Sequence, residues 1–121
     1  EMVAAVQAAD IVFLEPDNGL EGASLSPKST ALTELAALRR PGRVVLLYHH
    51  QTRYPGGAAN EARHIASRLT DIGFETVDAI RLRPYSSRFY FLMDADQTLR
   101  ERLREFANRW GTKAELFLHL A

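Results

Sequence analysis

With 121 residues, 46% of them hydrophobic, the chain can build one core of ordinary size, so a single domain over residues 1–121, and no second one, is expected. Fifteen basic side chains balance fifteen acidic ones, so no whole-molecule field draws the protein to nucleic acid or an anionic membrane, and any such contact must come from a local patch. The absence of cysteine excludes disulfides, thiolate metal sites and thiol nucleophiles, and it fits a reducing compartment, so the cytoplasm is the expected location.

Glu1 precedes Met2, and the Ala-rich residues 2–9 read as the end of a helix leading into a strand, as in a piece of a longer protein. Ile11-Val12-Phe13-Leu14 is a continuous apolar run that ends in a Pro-Asp-Asn-Gly turn signal, the pattern of a strand buried on both faces. Ser26-Pro27 has the form of an N-cap with proline at the first helical position. Leu32, Leu35 and Leu38 then recur at helical spacing up to Pro41-Gly42, predicting a helix of about three turns. Val44 to Tyr48 is the second buried strand, far too short to span a bilayer, and the N-terminus shows no signal pattern. Ala62, Ile65, Ala66 and Leu69 define a helix over 58–72 stopped at Gly73.

Thr76 to Leu82 alternates apolar and polar residues, and Arg88 to Met93 resumes that pattern after Pro84-Tyr85-Ser86-Ser87, which predicts an antiparallel hairpin. Leu99, Leu103, Phe106 and Trp110 mark an amphipathic helix, and Ala114 to Leu120 a last strand. The fold class expected from this order is α/β: a Rossmann-like three-layer sandwich with a mostly parallel sheet and a C-terminal antiparallel hairpin.

In open α/β sheets, ligands bind beyond the carboxyl ends of the parallel strands, where loops and spare backbone donors converge. Glu15-Pro16-Asp17-Asn18-Gly19 emerges at such an end with acceptors, an amide and a tight-turn glycine, although Asp-Asn-Gly is also ordinary turn chemistry. The second strand delivers His49, His50 and Arg53, where a histidine could serve as base or metal ligand and the arginine could clamp phosphate or carboxylate. Adjacent residues of a strand point to opposite sides, so at most one histidine is expected to face the site, and a hydrogen-bonded structural role is the alternative for each. Arg81, Arg83 and Arg88 around Tyr85 form a basic and aromatic cluster of the kind that stacks a base and neutralises phosphate; the alternative is a solvated strand face. No ligand spacing marks a metal site.

The motif after the first strand and the order of elements resemble the second half of class I S-adenosylmethionine-dependent methyltransferases. Ile11 to Gly19 corresponds there to the fourth strand with its Asp/Asn-Pro-Pro-aromatic motif, Val44 to Tyr48 to the fifth, and the hairpin to the sixth and seventh. The chain is also similar to a group of uncharacterised bacterial proteins with an Asp-Pro-Asp-Asn-Gly signature, a following lysine and a Tyr-x-His segment, here Glu15 to Gly19, Lys28, and Tyr48 with His50. The motif departs from the methyltransferase pattern in beginning with glutamate and in carrying Asp17-Asn18 where the second proline and the aromatic residue belong. No Gly-x-Gly-x-x-Gly turn follows a strand, and Gly56-Gly57 stands in the wrong place for one.

The resemblance implies methylation of an amino group on a nucleic-acid base. Glu15, Pro16, Asp17 and Asn18 would form the catalytic motif, and Gly19, Lys28, His50, Arg53, Tyr85 and Arg88 would bind substrate. S-adenosylmethionine is implied only together with an N-terminal cofactor-binding half, and no cofactor otherwise. Two other functions stay open. One is a non-catalytic Rossmann-like binding or assembly module, with a homo-oligomer as one form. The other is a metal-dependent hydrolase or nuclease using Glu15, Asp17 and a histidine.

Overall fold

The computed structural model describes residues 11–15, 19–20, 29–30, 32–84 and 86–120. In chain order the elements are β1 (Ile11–Leu14), β2 (Gly19–Leu20), β3 (Ser29–Thr30), α1 (Leu32–Leu38) and β4 (Val44–His50), then α2 (Gly57–Asp71), β5 (Val77–Leu82), β6 (Arg88–Met93), α3 (Gln97–Trp110) and β7 (Ala114–Phe117). The short pair β2–β3 is hydrogen-bonded separately from the main sheet, with β2 close to β4, as a parallel bridge of Gly19 with Ser29 and Leu20 with Thr30. With Ser29 and Thr30 in that bridge, α1 starts at Leu32 and is shorter than the leucine spacing predicts. The expected helix over 2–9 and the Ser26-Pro27 cap lie outside the described residues.

The main sheet has the order β1-β4-β6-β5-β7. β1 and β4 pair in parallel, with Val12 opposite Val45 and Leu14 opposite Leu47, whereas β4–β6, β5–β6 and β5–β7 are all antiparallel. The expected mostly parallel, Rossmann-like sheet is therefore corrected to a small mixed α/β sheet. The cause is where the hairpin goes. The turn after Leu82 sends β6 back antiparallel, and β6 takes the central slot between β4 and β5, so the crossover through α2 never brings β5 beside β4. Four of the six residues of β6 are buried, which suits the strand with a neighbour on each side.

One face of this sheet is sealed. Val45, Leu47, Phe89, Phe91 and Met93 reach 0% exposure there, packed with Leu35 and Leu38 of α1 and with Ala62, Ile65 and Leu69 of α2. Each large side chain withdrawn from water in this way contributes roughly 1.5–3 kcal/mol. α1 is tied off by Arg43, whose buried guanidinium donates to the Leu38 carbonyl over 2.8 Å.

The other face is covered only in part. Asp96 caps α3 by accepting from the Leu99 amide at 2.8 Å, and Leu99 and Leu103 pack on Val44, Leu46 and Leu92. Beneath α3, Arg100 Nε donates to Asp78 Oδ2 over 2.9 Å, and Asp78 Oδ1 accepts from the His119 amide at 2.9 Å, so the buried carboxylate is compensated on both oxygens. This cover does not extend to β1, where Ile11 is 62% and Phe13 50% exposed. β1 thus corrects the two-sided burial expected of Ile11 to Leu14: its burial alternates along the strand.

Candidate functional site

The carboxyl ends of β1, β4 and β5 lie at one end of the sheet, together with the starts of β6 and β7. Glu15, exposed, follows directly on Leu14, and His50, exposed, ends β4 three positions beyond Leu47, the partner of Leu14, so strand alternation puts it on the same face as Phe13. The β4–β6 register sets His50 opposite Arg88, so these two residues expected at a site are cross-strand neighbours. Arg53 is exposed in the loop after β4. Gly19 opens β2, directly after the segment 16–18. Pro16, Asp17, Asn18, Lys28 and Tyr85 lie outside the described residues.

Much of the basic cluster at this end has structural employment. Arg88 Nη1 donates to the carbonyls of Pro84 and Ser86 at 2.9 and 3.0 Å, holding the turn between β5 and β6. Arg81 Nε donates to Gln51 Oε1 at 2.7 Å and its Nη1 to Glu115 Oε1 at 3.1 Å, while Arg83 Nη2 stands 3.7 Å from the same carboxylate. Among the described residues of this rim, the acids Glu15 and Glu115 stand against Arg53, Arg81, Arg83, Arg88 and Lys113. In a chain with no net charge, the described residues of this end are thus locally basic.

The two histidines part company, as strand alternation requires. His49 turns toward the helices and is buried, its Nε2 3.0 Å from Glu61 Oε2, with the carboxylate accepting. Glu61, itself 2% exposed on α2, also accepts from the Thr52 amide and, at 2.8 Å, from the Thr52 hydroxyl. Burial pushes the His49 imidazole below its ordinary 6.5; the hydrogen bond and charge of Glu61 oppose this, and His50 and Arg68 add to it. The cluster staples the start of the β4–α2 loop to α2, which fixes the strand end that presents His50. Glu61 is not among the residues expected at a site from the sequence. Its signal was a carboxylate on the apolar stripe of Ala62, Ile65 and Leu69, where a solvated charge has no place.

At the opposite end of the sheet lies a cleft of about 530 Å³ bordered by Arg39, Arg40, Gly73, Thr76 and Asp94. Arg39 lies across Gly73, with its Cζ 2.4 Å from where a Cβ would stand, and donates to the Ile72 carbonyl at 3.0 Å. Asp94, at φ 61°, accepts from the Glu75 and Thr76 amides and so ties the end of β6 to the start of β5. These contacts close the base of the sheet, remote from the strand ends that carry Glu15 and His50.

Among the described residues, no group of three His, Asp or Glu side chains converges to hold a metal ion, and no helix is long and apolar enough to cross a membrane. Comparison with protein-family models, with curated proteins and with solved structures finds no match.

Proposed function

We propose that the chain is a methyltransferase-like α/β domain whose own residues form the substrate side of a site for a nucleic-acid base, at the carboxyl ends of β1 and β4. The observation that carries this is the parallel β1–β4 pair, which delivers Glu15 and His50 to one end of the sheet, with Arg88 beside His50 through the β4–β6 register. The β5–β6 hairpin following the α2 crossover also supports it, since the resemblance assigns such a hairpin to the last strands. Glu15 accepts from an exocyclic amine, His50 offers a ring nitrogen to the base edge, and the basic rim takes the phosphate.

The described residues do not fit S-adenosylmethionine. The sequence holds no Gly-x-Gly-x-x-Gly motif, and Gly56-Gly57 is spent at the start of α2, where the Gly57 amide donates to the Tyr54 carbonyl at 3.1 Å. Base recognition is therefore the part of the activity that this chain's own side chains support.

Calorimetric titration with adenosine, cytidine and uridine tests the proposal. Expected is tighter binding of the two nucleosides that carry an exocyclic amine, a preference lost in Glu15→Ala, with binding of all three weakened in His50→Ala. Equal binding of the three nucleosides, or none, removes the proposal. Titration with S-adenosylmethionine in the same series separates transfer from recognition: heat of binding favours a methyltransferase, and its absence favours a non-catalytic binding module.

A further inference from the structure

The half of the sheet that α3 leaves open carries a set of residues that the strand-end site does not use. Phe13 of β1, Tyr48 of β4 and Tyr90 of β6 project from this same face. The Phe13 and Tyr90 rings reach each other across β4 with centroids 6.1 Å apart, and Tyr48 meets Tyr90 edge-on at 5.6 Å. Phe13 is half exposed and both tyrosines are part exposed. One alternation further, at the end of β4 and the start of β6, His50 and Arg88 stand opposite each other. Asp78, the one carboxylate that the described strands place on this face, is buried and neutralised by Arg100. What remains in contact with water is a run of aromatic surface ending in a cation.

We infer that this open face is a stacking platform for single-stranded nucleic acid: unpaired bases lie against Phe13, Tyr90 and Tyr48, and the backbone passes toward Arg88 and the basic rim. The inference rests on the base-binding proposal above and names its substrate class. Charge and chemistry together select the occupant. Aromatic rings accept any base face, and the charge of Arg88, which its bonds to the neutral Pro84 and Ser86 carbonyls do not neutralise, complements a polyanion together with the basic rim, as a purely apolar protein surface would not. A duplex keeps its bases stacked on each other and has none to offer the rings.

The test is fluorescence anisotropy with labelled single strands of about twelve nucleotides, DNA and RNA, and the matching duplexes. Expected is binding of single strands in preference to duplex, weakened on the order of tenfold in Phe13→Ala and in Phe13→Leu alike, because leucine restores apolar area without a π-face. Circular dichroism on the same samples verifies that these substitutions of an exposed side chain leave the fold intact. Equal binding of duplex and single strand, or recovery of full binding in Phe13→Leu, overturns the platform. Light scattering that shows a wild-type dimer dissociated by Phe13→Ala overturns it too, in favour of a second copy on this face. Oligonucleotide binding unchanged by Phe13→Ala and lost in His50→Ala overturns the platform while the strand-end site stands. Binding lost in Phe13→Ala and unchanged in His50→Ala upholds the platform and removes the strand-end site.

Discussion

The two faces of the central sheet are made by the same strands from comparably apolar residues, yet they meet opposite surroundings. On the helix-packed face Val45, Leu47, Phe89, Phe91 and Met93 have no exposure at all; across the sheet, Ile11 and Phe13 are 62% and 50% exposed. Residue type does not account for the difference, since β1 carries isoleucine and phenylalanine outward and valine and leucine inward. Coverage does. α1 and α2 both pack on one side, and α3, on the other, reaches β4, β6, β5 and β7 but leaves Ile11 and Phe13 of β1 exposed. An apolar side chain left open beside cations is available for binding in a way that a buried one is not.

The largest effect expected from breaking this contrast is on stability. Phe91→Ala opens a cavity in the sealed face and is expected to cost about 3–5 kcal/mol in urea unfolding, whereas Phe13→Ala, losing a half-exposed ring, is expected to cost less than about 1 kcal/mol. Comparable losses for the two variants would mean that the β1 face is buried in solution, and the platform would go with it.

A somewhat smaller effect separates the covered part of the second face from its open part. Asp78→Ala leaves the Arg100 guanidinium buried without its carboxylate and the His119 amide without an acceptor, at an expected cost of roughly 3 kcal/mol. Single-strand binding by the folded variant is expected to be unchanged, because Asp78 lies under α3 and away from Phe13. Loss of binding at temperatures where the fold persists would show that the two halves of this face act together.

These contrasts also mark how far the sequence could be read. The strands and helices were legible because apolar periodicity is local: 77–82, 88–93 and 97–110 follow directly from alternation or helical spacing. Strand order was not legible, because β6 wins the central slot through long-range pairing that no window of sequence contains. The run Ile11 to Leu14 invited a two-sided burial that only a neighbour on each face could deliver, and α3 stops short of it. For the site, the divergence of His49 and His50 followed from strand alternation. The opposition of His50 and Arg88 came from β4–β6 register, and the Glu61 staple was visible only as a charge misplaced on an apolar stripe.

The subtlest expected effect belongs to the sealed face and depends on pH. Burial holds the His49 imidazole below its ordinary 6.5, so the folded protein binds this proton more weakly than the unfolded chain does. Stability from this residue is therefore complete above the unfolded value, and it falls as pH drops from there toward the folded value. Glu61, through its hydrogen bond and charge, limits the shift; His50 and Arg68 enlarge it. Urea midpoints at about pH 7.5 and about pH 5 are expected to show a larger acid loss in wild type than in His49→Gln, whose amide can still donate to Glu61 without titrating. Equal acid losses in the two proteins would place the sensitivity elsewhere, and the packed face would then tolerate a charged imidazole beside Glu61 as readily as a neutral one.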